Sequence, residues 1–202
     1  MSTPVQPDQF AFDEKSTAEI PSIIARYPQG KQASAVMPLL DLVQRQMARV
    51  AGRAWVPRAA MDAVADLIGV PKIRVYEVAS FYTMFHLGPV GPNHLQVCTT
   101  TPCWLRGSDA VHAACRAAAD TDPELFTVEE VECLGACVNA PVLMINDQLY
   151  EDLDGERTEA VLNAIRRGEK PEPGSATGRH GSAPEGGPTT LFATDASERT
   201  DA

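Results

Sequence analysis

The sequence has no run of about 18 apolar residues, so nothing in it is long enough to cross a bilayer as a helix. Basic residues are few: 17 Lys and Arg stand against 27 Asp and Glu, for a net charge of -10. A nucleic-acid role is disfavoured, because phosphates call for a basic face. Residues 1–19 lack both the apolar core of a secretory signal and the Arg-rich pattern of a mitochondrial presequence, which leaves a bacterial cytoplasm as the expected compartment. There is no Cys-x-x-Cys, the spacing of most zinc knuckles and of thioredoxin-type dithiols. There is also no Gly-x-Gly-x-x-Gly and no phosphate-cradling glycine loop, so no nucleotide site is expected on this chain.

What the sequence does have is four of its five cysteines in two short stretches, Cys98-Thr-Thr-Thr-Pro-Cys103 and Cys133-Leu-Gly-Ala-Cys137. Two close thiolate pairs far apart in sequence can grip one metal centre from two sides. One tetrahedral zinc, an iron-sulfur cluster and redox disulfides all remain open, although structural disulfides are rare in a reducing compartment. Gaps of four and three residues suit a two-iron cluster, in which each iron takes two thiolates and each loop serves one iron. The spacing matches neither the plant-type nor the bacterial ferredoxin run. Cys115 falls on the apolar side of a helix with Val111, Ala114 and Ala118, and reads as a small core residue. His86, His94, His112 and His180 have no spacing that pairs two of them near the loops, and read as structural or surface groups.

Acidity is uneven. Residues 120–159 hold twelve Asp or Glu and a single Arg, whereas residues 21–118 hold ten Lys or Arg and five acids. A solvated face and a docking surface for a basic partner explain this equally well.

With 202 residues and 44% hydrophobic content the chain can bury a sizeable core in one or two domains. Residues 1–15 are expected to be a flexible N-terminus and residues 16–87 a helical bundle. Ser16 to Glu19 has the form of a capping box for a first helix carrying Ile20, Ile23 and Ile24. A second helix follows Ser34, a third opens at Pro57 and stops at Gly69, and a fourth runs from Pro71 through Phe85. The fourth has aromatics at 81, 82 and 85, more than one core stripe needs, so some should meet another domain or another chain. Gly88–Pro92 reads as a connector.

From residue 93 to 168 the pattern changes to strand, helix, strand, hairpin and helix. Strands are expected over 94–98, 126–133 and 139–145, with Asn146-Asp147 turning into a fourth and Asp154 capping the last helix. This order describes a small thioredoxin-like layer, and Pro141 enters a strand where such folds often hold a cis proline. Residues 169–202 are rich in Gly, Pro, Ser and Thr and are expected to be a disordered tail, with Leu191-Phe192 its only apolar handle. The fold class is therefore α+β, a helical bundle followed by a thioredoxin-like α/β domain.

Ser34–Leu40, Glu77–Phe85, Val97–Cys103 and Phe126–Pro141 together resemble the E subunit of bacterial respiratory NADH:quinone oxidoreductase, complex I, over residues 15–168. The resemblance implies one 2Fe-2S cluster per chain on Cys98, Cys103, Cys133 and Cys137. It implies as partners a flavin subunit that binds FMN and NADH and the large iron-sulfur subunit, with the chain peripheral on the cytoplasmic side of the inner membrane. Similar subunits serve NAD-linked hydrogenases and formate dehydrogenases, an alternative that neighbouring subunits decide. A structural zinc module and a thiol oxidoreductase stand as competing classes. An all-thiolate cluster is anionic, so amide donors aimed at its sulfurs ease reduction while Glu129, Glu130 and Glu132 should oppose it.

Overall fold

A carboxylate begins the first helix. Asp13 accepts the Ser16 amide at 2.8 Å and caps α1 (Glu14–Ile24), three residues ahead of the Ser16 cap that the capping-box pattern suggested. A carboxylate held by the Arg49 guanidinium at 2.6 Å supplies the stronger cap, and Ser16 is instead buried in the first turn, accepting from the same Arg49. The structure is a computed structural model, which describes residues 6–184 and 186 and divides the chain into two units at Pro92 and Asn93.

The first unit is helical. After α1 come a 3-10 turn at Gln32–Ala35, α2 (Val36–Ala51), α3 (Arg58–Ile68) and α4 (Lys72–Phe81). Leu39, Leu40 and Val43 of α2 meet Ala60, Met61 and Val64 of α3, Val75 and Ala79 of α4, and Ile20 and Ile23 of α1 in one core. Full burial of each leucine contributes about 2 kcal/mol. Phe10 and Phe12 precede α1, meet each other edge to face with ring centroids 5.2 Å apart, and pack against this core.

The fourth helix is shorter than its apolar pattern suggests. Tyr82 turns extended, and Gln44 holds the chain beyond it, donating to the Met84 carbonyl at 3.0 Å and accepting from the His86 amide at 2.8 Å. Phe85 thereby reaches the core, while Phe81, Tyr82 and Met84 stay exposed.

The second unit is a five-stranded sheet in the order β2-β1-β3-β4-β5, with strands β1 (Asn93–Cys98), β2 (Phe126–Val131), β3 (Leu143–Ile145), β4 (Gln148–Glu151) and β5 (Gly174–Ser175). The first two are parallel, joined by the short helix α5 (Thr101–Leu105) and by α6 (Ser108–Thr121); β3 and β4 form an antiparallel hairpin. The last helix is α7 (Gly155–Arg166), capped by Asp154, which accepts the Arg157 amide at 2.8 Å. Leu95, Val97, Phe126, Leu143 and Ile145 of the sheet pack with Val111, Cys115 and Leu162 of the helices. Helices and a mixed sheet make this the α+β architecture that the residue pattern implies.

Two strands end short of the expectation. Val131 pairs with Cys98, the last residue of β1, so β2 runs out of ladder two residues before Cys133. Asn139 ends a 3-10 turn (Cys137–Asn139), and residues 140–142 precede β3 in irregular backbone, with a cis Ala140-Pro141 bond and the Val142 carbonyl accepting from the Cys98 amide at 3.2 Å. Residues 169–184, expected to belong to a disordered tail, instead carry β5, parallel to β4, and the Tyr150 hydroxyl donates to the Pro171 carbonyl at 3.2 Å. The Leu191-Phe192 pair lies outside the described residues. Among the described residues no helix is long and apolar enough to cross a membrane.

Candidate metal centre

The central strand carries the first cysteine to the site. Leu95 and Val97 lock β1 into the core, and the strand ends at Cys98, 1% exposed. The chain then turns into α5, whose third residue is Cys103, also 1% exposed. Thr100 occupies the N-cap position of α5 but makes no capping bond there; its hydroxyl lies 3.3 Å from Cys98 Sγ. The other pair rides on the loop beyond β2. Cys133 is exposed and Cys137 half-buried, with their sulfurs 3.2 Å apart. Gly135, at φ 83°, sits in the left-handed region that favours glycine, and its amide donates to Cys133 Sγ at 3.4 Å. Ala140 and Val142 pack under the site beside Cys98 and Cys103.

The two pairs face each other. Cys98 acts on the proton of Cys103 and electrostatically on both Cys133 and Cys137. Within each pair the protons divide unequally. Burial alone would raise the Cys98 thiol, but the Thr100 hydroxyl and the Leu134 and Thr100 amides bring it below its ordinary value. Burial, and then Cys98, push Cys103 up to about 12. The bond from Cys137, then the Gly135 amide, lower Cys133, while Cys137 is raised by Cys133 and by burial. Such a site takes up metal with release of the remaining thiol protons.

The donor set tests the candidate groups. All five cysteines are free thiols, so no disulfide joins them. A single tetrahedral zinc with bonds of about 2.3 Å would need all four sulfurs roughly 3.8 Å apart. Among the described residues no three cysteine sulfurs lie within 4.8 Å of one another, although Cys133 and Cys137 touch. Two cysteines on each of two loops are a donor set that two metal ions can share, each gripped by one loop. Backbone amides of Leu134, Gly135 and Val142, with the Thr100 side chain, already point at the sulfurs and suit an anionic group.

A model of the family described as thioredoxin-like [2Fe-2S] ferredoxin matches residues 20–166. The chain belongs to that family. Among curated relatives it is 49% identical over 163 residues to the E subunit of the NADH-quinone oxidoreductase of Rickettsia bellii, spanning 78% of this chain and 95% of the relative. It is 46% identical over 200 residues to the E subunit numbered 1 of the NADH-quinone oxidoreductase of Rhizobium meliloti, spanning 94% of this chain and 70% of that one. Among solved structures, a chain of an NAD+-reducing [NiFe]-hydrogenase shares the fold, with TM-score 0.53 and 20% identity over 64% of this chain and 23% of that one. The residues matched by the family model run through both units.

Cys115 is fully buried in the core between α6 and the sheet, and burial pushes its thiol up to about 12. His94 is buried in β1 with its Nε2 3.0 Å from a Glu129 oxygen. His112 is half-buried on α6, and His180 is exposed. Glu130 is engaged by the Thr99 hydroxyl at 2.8 Å, while Glu132 is exposed beside Cys133. Thr100, whose hydroxyl reaches Cys98 Sγ, is a side chain of the site that sequence reasoning missed. Its only signal is a hydroxyl two residues past a cysteine, where a helix is about to start.

Proposed function

We propose that the chain carries one 2Fe-2S cluster on Cys98, Cys103, Cys133 and Cys137 and works as an electron-transfer subunit of an NADH-oxidising respiratory module, exchanging single electrons with FMN on an adjacent flavin subunit. The observation that carries this reading is the pairing of the sulfurs, one pair from the buried end of β1 and α5 and the other from the exposed loop after β2. When bound, such a cluster supplies a one-electron carrier. The chain's own contribution is to hold four thiolates in two pairs, direct amides and the Thr100 hydroxyl at them, and cover the inner pair with Ala140 and Val142.

Relatives named as subunits of NADH-quinone oxidoreductase support the same reading. In it, NADH and FMN bind to the flavin subunit, and this chain holds no complete active site. The flavin subunit and the large iron-sulfur subunit are its partners, on the cytoplasmic side of the bacterial inner membrane. Exposed apolar side chains suit such neighbours: Trp104, Leu105 and Val138 flank the cysteines, and Phe81, Tyr82 and Met84 follow one another at the end of α4.

The test is anaerobic purification with assays of iron, zinc and acid-labile sulfide, followed by an EPR spectrum after reduction. About two irons and two sulfides per chain, with an S = 1/2 signal that Cys133→Ala abolishes, is the expected result. One zinc, no sulfide and a silent spectrum, persisting after attempted reconstitution, would overturn it.

A further inference from the structure

Residues 174–183 lie along the second cysteine loop and are tied to it at two points. Arg179 makes the first tie. Its Nε donates to Asp152 Oδ2 at 2.9 Å and its Nη2 to the other Asp152 oxygen. Nη1 donates to the Ala183 carbonyl at 3.2 Å, and Nη2 also reaches the Val138 carbonyl at 3.1 Å. Val138 follows Cys137 directly. The second tie falls on the next residue, where Asn139 Nδ2 donates to the Gly181 carbonyl at 2.8 Å.

The anchor beneath is Asp152. Its carboxylate takes Ser175 Oγ at 2.6 Å as well as Arg179, and its amide donates to the Asn139 carbonyl at 2.7 Å. The Arg179 and Asp152 side chains are 12% and 6% exposed, which separates them from the solvated ion pairs that contribute little. A stretch so rich in Gly, Ser and Thr has almost no apolar surface to lay it down, so beyond the β5 pairing this polar network is what places it. Val138 itself is 66% exposed, so burial does little to hold it.

We propose that residues 174–183 form a strap over the metal loop, and that Arg179 is a positioning residue for Cys137. By fixing the Val138 carbonyl it sets the direction from which Cys137 Sγ approaches the metal centre. Outer-shell partners of this kind tune a site through the ligand they orient. Arginine is required because one planar fork must reach both Asp152 oxygens and two carbonyls, which the single nitrogen of lysine cannot do. The inference rests on the reading of Cys137 as a ligand.

The test compares the full chain with Arg179→Lys and with the double variant Asp152→Asn/Arg179→Gln, which removes both charges so that neither is stranded in the interior. Iron and sulfide content, the EPR line shape of the reduced protein and the rate of iron release to a chelator are measured, the last well below each unfolding midpoint. Both variants are expected to release iron about tenfold faster and to show shifted or broadened EPR lines. If Arg179→Lys does not fold, the double variant decides on the same readouts. A lower unfolding midpoint with unchanged release rate and spectrum would overturn the proposal, since Arg179 would then hold only the tail. Absence of iron and sulfide from the unaltered chain would instead overturn the ligand reading itself, and the strap's role with it.

Discussion

Replacing Thr100 by Val removes a hydroxyl and leaves the shape almost unchanged. The hydroxyl stands 3.3 Å from Cys98 Sγ and also lowers the Cys133 thiol, so it serves both halves of the sulfur set. Once Cys98 is a thiolate the hydroxyl can only be the donor. Thr100 makes no capping bond to α5, so the helix start loses nothing by the change. Reduction adds one negative charge, and a donor aimed at sulfur stabilises the reduced form more than the oxidised one. One such bond contributes about 0.5–1.5 kcal/mol. With a one-electron conversion of about 59 mV per 1.4 kcal/mol, the potential should fall by roughly 20–60 mV. A spectroscopic redox titration of the purified chain reads this directly, with Thr100→Ser, which keeps the hydroxyl, as the control. A Val variant that keeps its iron and sulfide and titrates at or above the parent potential would refute the reasoning.

Three further outcomes are expected. Glu132→Gln, at an exposed carboxylate beside Cys133, should raise the potential, by no more than a few tens of mV because solvent screens it; the same titration checks the sign. Cys115→Ala should keep the full iron and sulfide content and the EPR signal while lowering stability by about 1–2 kcal/mol for the small void it leaves, read by chemical denaturation. Asp13→Asn tests the first helix by pH. The Ser16 amide and then Arg49 hold the Asp13 carboxyl down to about 2, so its contribution is complete above the unfolded value of about 3.9 and is lost as pH falls through about 2. The difference in unfolding midpoint between parent and variant should therefore shrink as pH drops from 5 to 2.

The residue pattern speaks most clearly where structure is periodic or chemically unusual. Leu39, Leu40 and Val43 at helical spacing mark α2, and Leu95 with Val97 marks β1, because burial of one face leaves a regular trace. The four cysteines stand out because thiols are rare and closely spaced. Boundaries set by non-local partners leave no such trace. The end of β2 depends on where β1 stops, and the end of α4 on Gln44, some 40 residues earlier. Asp13 outcompetes Ser16 as a cap because Arg49, 36 residues away, holds its carboxylate in place. The strap is the extreme case. Its composition reads as disorder, and distant partners such as Asp152, 27 residues before Arg179, give it a place to lie.

The register of β1 has a consequence for synthesis. Asn93 pairs with Phe126, 33 positions later (126 − 93), and Leu95 pairs with Ile145, 50 positions later (145 − 95). The strand that presents Cys98 therefore has neither neighbour when it leaves the ribosome. At about 5–20 residues per second, roughly 3–10 s pass before both flanking strands exist. Residues 1–92 are complete by then and can fold on the nascent chain. Cys98 and Cys103 meanwhile wait as an unshielded dithiol, open to stray metal and oxidant. The stretch that shields them comes later, since Ala140 and Val142 follow the second cysteine pair. On the proposed reading, all four ligands come together only after this late strand pairing.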